Sequence, residues 1–234
     1  MSGEKGEEGA RHFLQAFSDP EAVARYAEGP RRFVPGLDAL HRMAGILLAE
    51  RAPADGRILV LGAGGGLELR ALAEMQPHWR FTGVDPAGEM LALARRTAAN
   101  AAGRLELVEG YIGDAPEGPF DGAVCLLTLH FLDAGERERT AAEIRRRLRP
   151  GAPFVAAHGS YPQEAKDMWL SRYAGFAAAS GAPADQADNA RKAVAAHVDM
   201  LDPAQDEAIL RAAGFTDVAL FYAAFTWRGW VGYA

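Results

Sequence analysis

The chain has 234 residues, a formal charge of −6 and a hydrophobic fraction of 49%, which suit one large domain with a sizeable core. The acidic balance argues against a surface built for nucleic acid, and no run of about eighteen apolar residues predicts a membrane span. The single cysteine, Cys125, excludes an intramolecular disulfide and fits a reducing, cytoplasmic compartment.

Residues 1–10 are polar and rich in Gly and Glu, which predicts a disordered tail before a single domain over 11–234. Helical spacing follows in Phe13, Leu14 and Phe17, then in Val23 and Tyr26. A break near Ser18-Asp19-Pro20 supplies a cap and a first-turn proline for the second helix. Gly29-Pro30 is expected to end that helix, with Arg32-Phe33-Val34-Pro35-Gly36 as a loop. From Asp38 to about Arg51 a helix presents Leu40, Met43, Ala44, Leu47 and Leu48 on one face. Residues 11–52 are thus expected to be N-terminal helices that either cover the site or simply pack on the sheet.

Ile58-Leu59-Val60-Leu61 reads as a strand buried on both faces. Gly62-Ala63-Gly64-Gly65-Gly66 follows, and Leu67 opens an amphipathic helix. Strand, tight glycine turn and helix form the opening unit of a nucleotide-binding α/β domain, with backbone N–H groups aimed at the ligand. The dinucleotide spacing G-x-G-x-x-G/A would put Leu67 at its third position, where only a small residue fits. The spacing G-x-G-x-G is met by Gly62, Gly64 and Gly66.

Trp79 to Asp85 reads as the second strand. It ends in a carboxylate about twenty residues past the glycines, the place of a ribose-diol acceptor; a lone Asp there is more often a helix cap, but the spacing favours the ribose reading. A helix follows to about Ala101, then a third strand, Leu105 to Glu109, and the turn Gly110-Tyr111-Ile112-Gly113-Asp114-Ala115. Phe120 to Leu132 carries a fourth strand that is almost wholly apolar. Cys125 is a core residue within it, and His130 lies just past its carboxyl end, either touching the loop or facing a substrate. The helix from Gly135 to Arg149 gathers arginines in its last turn, where the helix dipole favours them without any nucleic acid. A fifth strand runs from Pro153 to His158. Gln163 to Met200 is a helical insertion interrupted at Gly181-Ala182-Pro183. Asp202-Pro203 caps a further helix, and Asp217–Phe225 with Trp227–Tyr233 close the chain as an antiparallel pair.

On the glycine spacing, the Phe120–Leu132 stretch and Ala212-Ala213-Gly214-Phe215, the chain resembles class I S-adenosylmethionine-dependent methyltransferases of the small-molecule type. It lacks the N/D-P-P-Y motif of DNA and protein amide methylases, having Leu126-Leu127-Thr128-Leu129 in its place. The resemblance implies an α/β, Rossmann-like seven-stranded sheet, six strands parallel and the last antiparallel, with helices on both faces. It implies S-adenosyl-L-methionine as cofactor and a small-molecule acceptor, and leaves a homodimer open; no metal-ligand spacing stands out in the chain, so no metal is expected. Cofactor contacts are expected from Leu61, Gly62, Ala63, Gly64 and Glu68, from Asp85, Pro86 and Met90, and from Leu126 and Leu127. Near the adenine two registers compete, Tyr111 with Ile112 or Asp114 with Ala115, and the first is preferred.

His158 and His130 are the candidate bases if the acceptor needs one. Acceptor entry is expected beside the fourth and fifth strands under a lid formed by residues 163–200. Of Met168, Trp169, Tyr173 and Phe176, two are expected to pack the insertion and the rest to face the acceptor. The family commonly has an acid two residues before the first glycine, where this chain has Val60; Glu68 is the candidate substitute. A degenerate cofactor-binding protein is therefore an alternative. Another is a carboxy-S-adenosylmethionine synthase, which the chain resembles in Arg32–Leu37 and Thr128–Leu132. Those synthases keep an aromatic residue at Leu37 and a carboxylate-binding arginine that registers at Ala193.

Overall fold

Alternation along the central strands sorts the core into two layers. In β1 (Arg57–Leu61) Ile58 and Val60 face one side of the sheet, and Leu59 and Leu61 the other. The computed structural model, which describes residues 29–234, continues this pattern into β4 (Gly122–Leu126) and β5 (Pro153–Gly159). Val124 and Val155 lie with Ile58 and Val60, while Cys125 and Ala156 lie with Leu59 and Leu61. Both faces are covered, so these strands are apolar almost throughout. The first layer is filled by α2 (Leu37–Ala49) and α3 (Leu67–Met75). The second is filled by α5 (Ala134–Arg146) and α8 (Pro203–Ala212).

The sheet is completed by β2 (Arg80–Asp85), β3 (Leu105–Glu109), β6 (Thr216–Ala224) and β7 (Trp227–Tyr233), in the order β3-β2-β1-β4-β5-β7-β6. Parallel pairing holds from β3 to β5, and β7 runs antiparallel to both β5 and β6. This is the seven-stranded topology expected from the sequence. After β2 comes α4 (Gly88–Thr97), ending before Ala101 and followed by a 3-10 turn. The insertion after β5 is two helices, α6 (Lys166–Ala179) and α7 (Ala184–His197), broken at Gly181-Ala182-Pro183. The expected tail at 1–10 and the helical pattern at 11–28 lie outside the described residues.

One local reading is corrected. Gly29–Phe33 is a short helix, α1, rather than a helix end followed by a loop. Pro30 sits in its first turn, where no N–H is needed, and its carbonyl accepts from the Val34 N–H at 2.8 Å. α1 and the Pro35 turn are tied to the far strands. The Trp227 indole donates to the Phe33 carbonyl at 2.9 Å, and the Tyr222 hydroxyl to the Pro35 carbonyl at 2.5 Å.

The arginine run is consumed within the fold. Arg145 donates to the Gly214 carbonyl, Arg146 pairs with Glu117 and Glu143, buried Arg147 pairs with Glu143, and Arg149 reaches Asp121. Beneath β5 lies a second charged group. Arg137 of α5 pairs with Asp206 of α8 and donates to the carbonyls of Leu132 and Asp199. Asp206 Oδ1 also lies 3.1 Å from His158 Nε2. All three side chains are buried. Burial pushes the Asp206 carboxyl up, but His158 and Arg137 outweigh it and hold it below its ordinary value. The stability Asp206 contributes is thus present above the carboxylate range and is lost as pH falls through the lowered value. Asp206→Ala leaves the Arg137 charge buried and unpaired, a cost of about 3–5 kcal/mol. Thermal unfolding is expected to fall by roughly 10 °C; a shift under about 2 °C would show that water or rearrangement replaces the carboxylate.

Candidate functional site

The carboxyl ends of β1, β2 and β4 open onto a cavity of about 790 Å³. Its floor is the glycine turn. Gly62 has φ +72°, and a Cβ there would lie 2.0 Å from Thr128 Oγ1. The turn therefore presses against the end of β4 and admits no side chain at this position. Gly66 has φ +80°, and its missing Cβ lets Ala94 of α4 approach, the Cα lying 2.7 Å from where a Cβ would be. The third glycine thus serves helix packing, while Gly62 and Gly64 line the cavity.

Asp85 holds this turn in place. Its Oδ2 accepts from the Gly64 N–H and its Oδ1 from the Ala87 N–H, both at 2.9 Å. Burial pushes its carboxyl up against those two bonds. Each oxygen keeps a lone pair for a ligand, since a carboxylate has about four acceptor sites. The cap reading and the ligand reading of this residue are therefore compatible.

Glu68, in the first turn of α3, lines the same end of the cavity and is 8% exposed. Burial raises its carboxyl to about 8; its own backbone N–H lowers it, and Asp85 raises it further. No ion pair among the described residues reaches it. Val60 is fully buried against the first layer and makes no part of the cavity.

Leu61, Pro86, Met90, Tyr111, Ile112, Leu126 and Leu127 also line the cavity. The structure thus brings together every expected cofactor residue except Ala63, and that expectation is corrected. Ala63 is wholly buried, its side chain turned into the core with its Cβ packed toward Gly83 of β2. Of the two registers after β3, Tyr111 and Ile112 reach the cavity. Asp114 is occupied instead in accepting the Tyr111 N–H at 2.8 Å, and Ala115 is core. Leu127 has φ +58°, an unusual conformation for a branched residue, and its N–H donates to the Ala157 carbonyl at 2.6 Å.

The two histidines part company. His130 lines the cavity, 5% exposed, with its ring against Phe131 and Trp227. His158 does not reach it, so its role as a base is corrected. Period-two alternation puts His158 on the other face of β5 with Phe154 and Ala156, its ring tilted against that of Trp230 and next to Asp206. Cys125 is buried core, and burial pushes its thiol up.

The other end of the cavity is largely apolar. The insertion roofs it, but through fewer residues of α6 than expected. Tyr173 lines it; Met168 is exposed, Trp169 packs beneath Arg172 and Arg228, and Phe176 meets Phe225. α7 and the segment after it supply Gln186, Val194, Val198 and Met200. Sequence reasoning missed Phe33, His41 and Trp227, which also line the cavity. His41 falls on the buried face of α2, a place the 3.6-residue period reveals, and burial lowers its pKa to about 4. Trp227 comes from the distal strand and had no local signal. No Arg or Lys among the described residues lines the cavity.

Asp85→Ala removes the acceptor from two amides. Hydrogen exchange at Gly64 and Ala87 is expected to speed by about tenfold or more, the equivalent of about 1.4 kcal/mol. Unchanged protection would mean that the turn holds itself.

Comparison with known proteins agrees with this geometry. Residues 58–151 match a family model described as a methyltransferase domain. The carboxy-S-adenosyl-L-methionine synthase of Chromohalobacter salexigens is 30% identical over 212 residues, covering 87% of this chain and 78% of the relative. That of Salmonella arizonae is 26% identical, over 83% and 81%. Among solved structures, a putative O-methyltransferase from Nostoc punctiforme superposes with a TM-score of 0.66 at 19% identity, over 91% of this chain and 60% of that one. PigF with SAH gives 0.68 at 18% identity, over 94% and 61%. Human N-acetylserotonin methyltransferase in complex with SAM gives 0.62 at 14%, over 94% and 58%. The chain spans about three fifths of the length of these structures, which share its fold. With the cavity at the strand ends, the glycine turn and Asp85, these relationships establish that the chain belongs to the class I S-adenosylmethionine-dependent methyltransferase family.

Proposed function

We propose that the chain transfers the methyl group of S-adenosylmethionine to an uncharged small molecule with an apolar body. The observation that carries this reading is the polarity of this cavity: carboxylates at the glycine-turn end, and mostly aromatic and aliphatic side chains at the other, with His130 and Gln186 among them. The cofactor, when bound, supplies an electrophilic methyl group on a sulfonium. The polar end fits it. Asp85 has lone pairs left for the ribose diol, and Pro86, Met90 and Ile112 form an apolar slot for the adenine. The Glu68 carboxyl, buried without a cationic partner among the described residues, suits the methionine ammonium that the absent acid at Val60 would otherwise hold. The apolar half orients the acceptor and excludes water, which strengthens positioning over solvent competition.

The second reading, a carboxy-S-adenosylmethionine synthase, is favoured by the two curated relatives. A ligand with an added carboxylate calls for a cation, and the cavity wall offers none among the described residues. Ala193 stands where the synthases' arginine registers, and Arg191 and Lys192 pair with Asp188. The cavity chemistry therefore supports methyl transfer.

Two measurements check this. With S-adenosylmethionine carrying a deuterated methyl group, incubation with an extract of small molecules is expected to label an uncharged, apolar compound. A cofactor product in which one methyl deuterium is replaced by a carboxyl group, with no labelled acceptor, would establish the synthase reading; tight cofactor binding with neither product would establish the degenerate one. The second measurement is calorimetric titration of S-adenosylhomocysteine. Its ammonium favours ionised Glu68, so binding below the raised pKa of about 8 releases a proton. Affinity is thus expected to rise as pH increases toward 8 and then level. Glu68→Gln is expected to weaken binding by about 10–100-fold, from about 1.5–3 kcal/mol, and to remove that slope. Methylthioadenosine, which lacks the amino-acid part, is expected to show neither effect; an equal loss for both ligands would place Glu68 elsewhere.

A further inference from the structure

A histidine beside an acceptor site is commonly read as a base, and the hydrogen bonding of His130 argues otherwise. His130 lies on the 3-10 turn Leu129–Phe131 that ends β4. The Gly159 N–H, at the end of β5, donates to His130 Nδ1 at 3.4 Å. A nitrogen that accepts a backbone N–H carries a lone pair, so in the neutral ring the proton sits on Nε2. With Nδ1 engaged, Nε2 is the nitrogen available to the cavity, and it presents an N–H.

The surroundings keep the ring in that state. Burial lowers the His130 pKa well below its ordinary value, and His158 and Arg137 lower it further; Asp206 opposes them. Asp206 is already committed to Arg137 and His158. From the remaining sides His130 meets the rings of Phe131 and Trp227, and no carboxylate among the described residues is within hydrogen-bond distance of it. A proton arriving at Nδ1 would have to displace the Gly159 bond, and one on Nε2 is already in place. The ring therefore has no free lone pair with which to take a proton from an acceptor, and it has a fixed donor to offer one.

We infer that His130 binds the acceptor as a hydrogen-bond donor through Nε2–H, and that it selects molecules whose apolar body carries a carbonyl-type oxygen. This rests on the reading of the apolar half of the cavity as the acceptor site. It assigns the residue a recognition role, and leaves the acceptor to supply its own nucleophile. The neighbouring wall matches that class: Tyr173, Trp227, Val194 and Met200 surround the body, and the donor stands at its polar end.

The test uses the full chain saturated with S-adenosylhomocysteine. With 15N-labelled histidine, the His130 resonances, identified by their loss in His130→Gln, are expected to show a bare Nδ1 and a protonated Nε2. They are expected to stay constant between about pH 5.5 and 8.5. A protonated Nδ1, or titration within that window, overturns the assignment. Binding is then compared for acetophenone and α-methylstyrene, which share a shape and differ in C=O against C=CH2. The preference for acetophenone is expected to fall at least about tenfold in His130→Leu. In His130→Gln, whose amide N–H replaces Nε2–H, it is expected to be kept, a control that holds even if the leucine variant does not fold. An unchanged preference in the leucine variant, or its loss in the glutamine variant, overturns the selection. If S-adenosylhomocysteine saturates the chain and neither probe binds, the acceptor-site reading fails, while the position of the proton still reports on His130 alone.

Discussion

Asp85 joins the two loops from which the cofactor end of the site is built. One oxygen fixes the Gly64 amide of the β1–α3 turn and the other fixes the Ala87 amide at the start of α4. Both loops leave the sheet at adjacent parallel strands, and the registers Leu61↔Val84 and Asp85↔Glu109 set their heights. The Gly62 and Ala63 amides extend the same junction by donating to the Val84 carbonyl. Because backbone atoms are held at both ends, the shape of this part of the cavity depends little on side-chain rotamers. Such preorganisation reduces what a ligand must order on binding. It also depends on what is missing: a Cβ at Gly62 would collide with Thr128, and one at Gly66 with Ala94.

Charge divides the cavity as sharply as shape does. Two carboxyls, Glu68 and Asp85, share the glycine-turn end, and burial raises the pKa of both. Buried acids without a cationic partner are costly unless they are protonated or a cation arrives. A cationic cofactor turns that cost into affinity. Beyond it the wall is largely apolar, so a ligand there gains from burial and loses if it brings a charge. The Arg137–Asp206–His158 group is the counterpart beneath the sheet: its charges are compensated internally, and it anchors α5, α8 and β5 rather than any ligand. It meets the site through Leu132, which lines the cavity and whose carbonyl accepts from Arg137, and through the electrostatic environment of His130.

The sequence by itself determined the order of the elements, the seven-stranded sheet and most of the cofactor end. These rest on local physics. Apolar runs, the spacing of Gly62, Gly64 and Gly66, an acid at a strand's end and the cap at Asp202 all act within a few residues of themselves. The arginine run could be set aside on the same ground. Tertiary structure decided what depends on the direction of a side chain or on a distant partner. Alternation along β5 was legible, but which face met the cavity was not, so His158 and His130 looked equivalent until the sheet was covered on both sides. Ala63 belongs to the glycine turn in sequence and to the core in space. Phe33 and Trp227 are 194 residues apart yet hydrogen-bonded, and no local period encodes such a contact. The proton on His130 is decided by a backbone amide of the neighbouring strand, an interaction that exists only once β4 and β5 lie side by side.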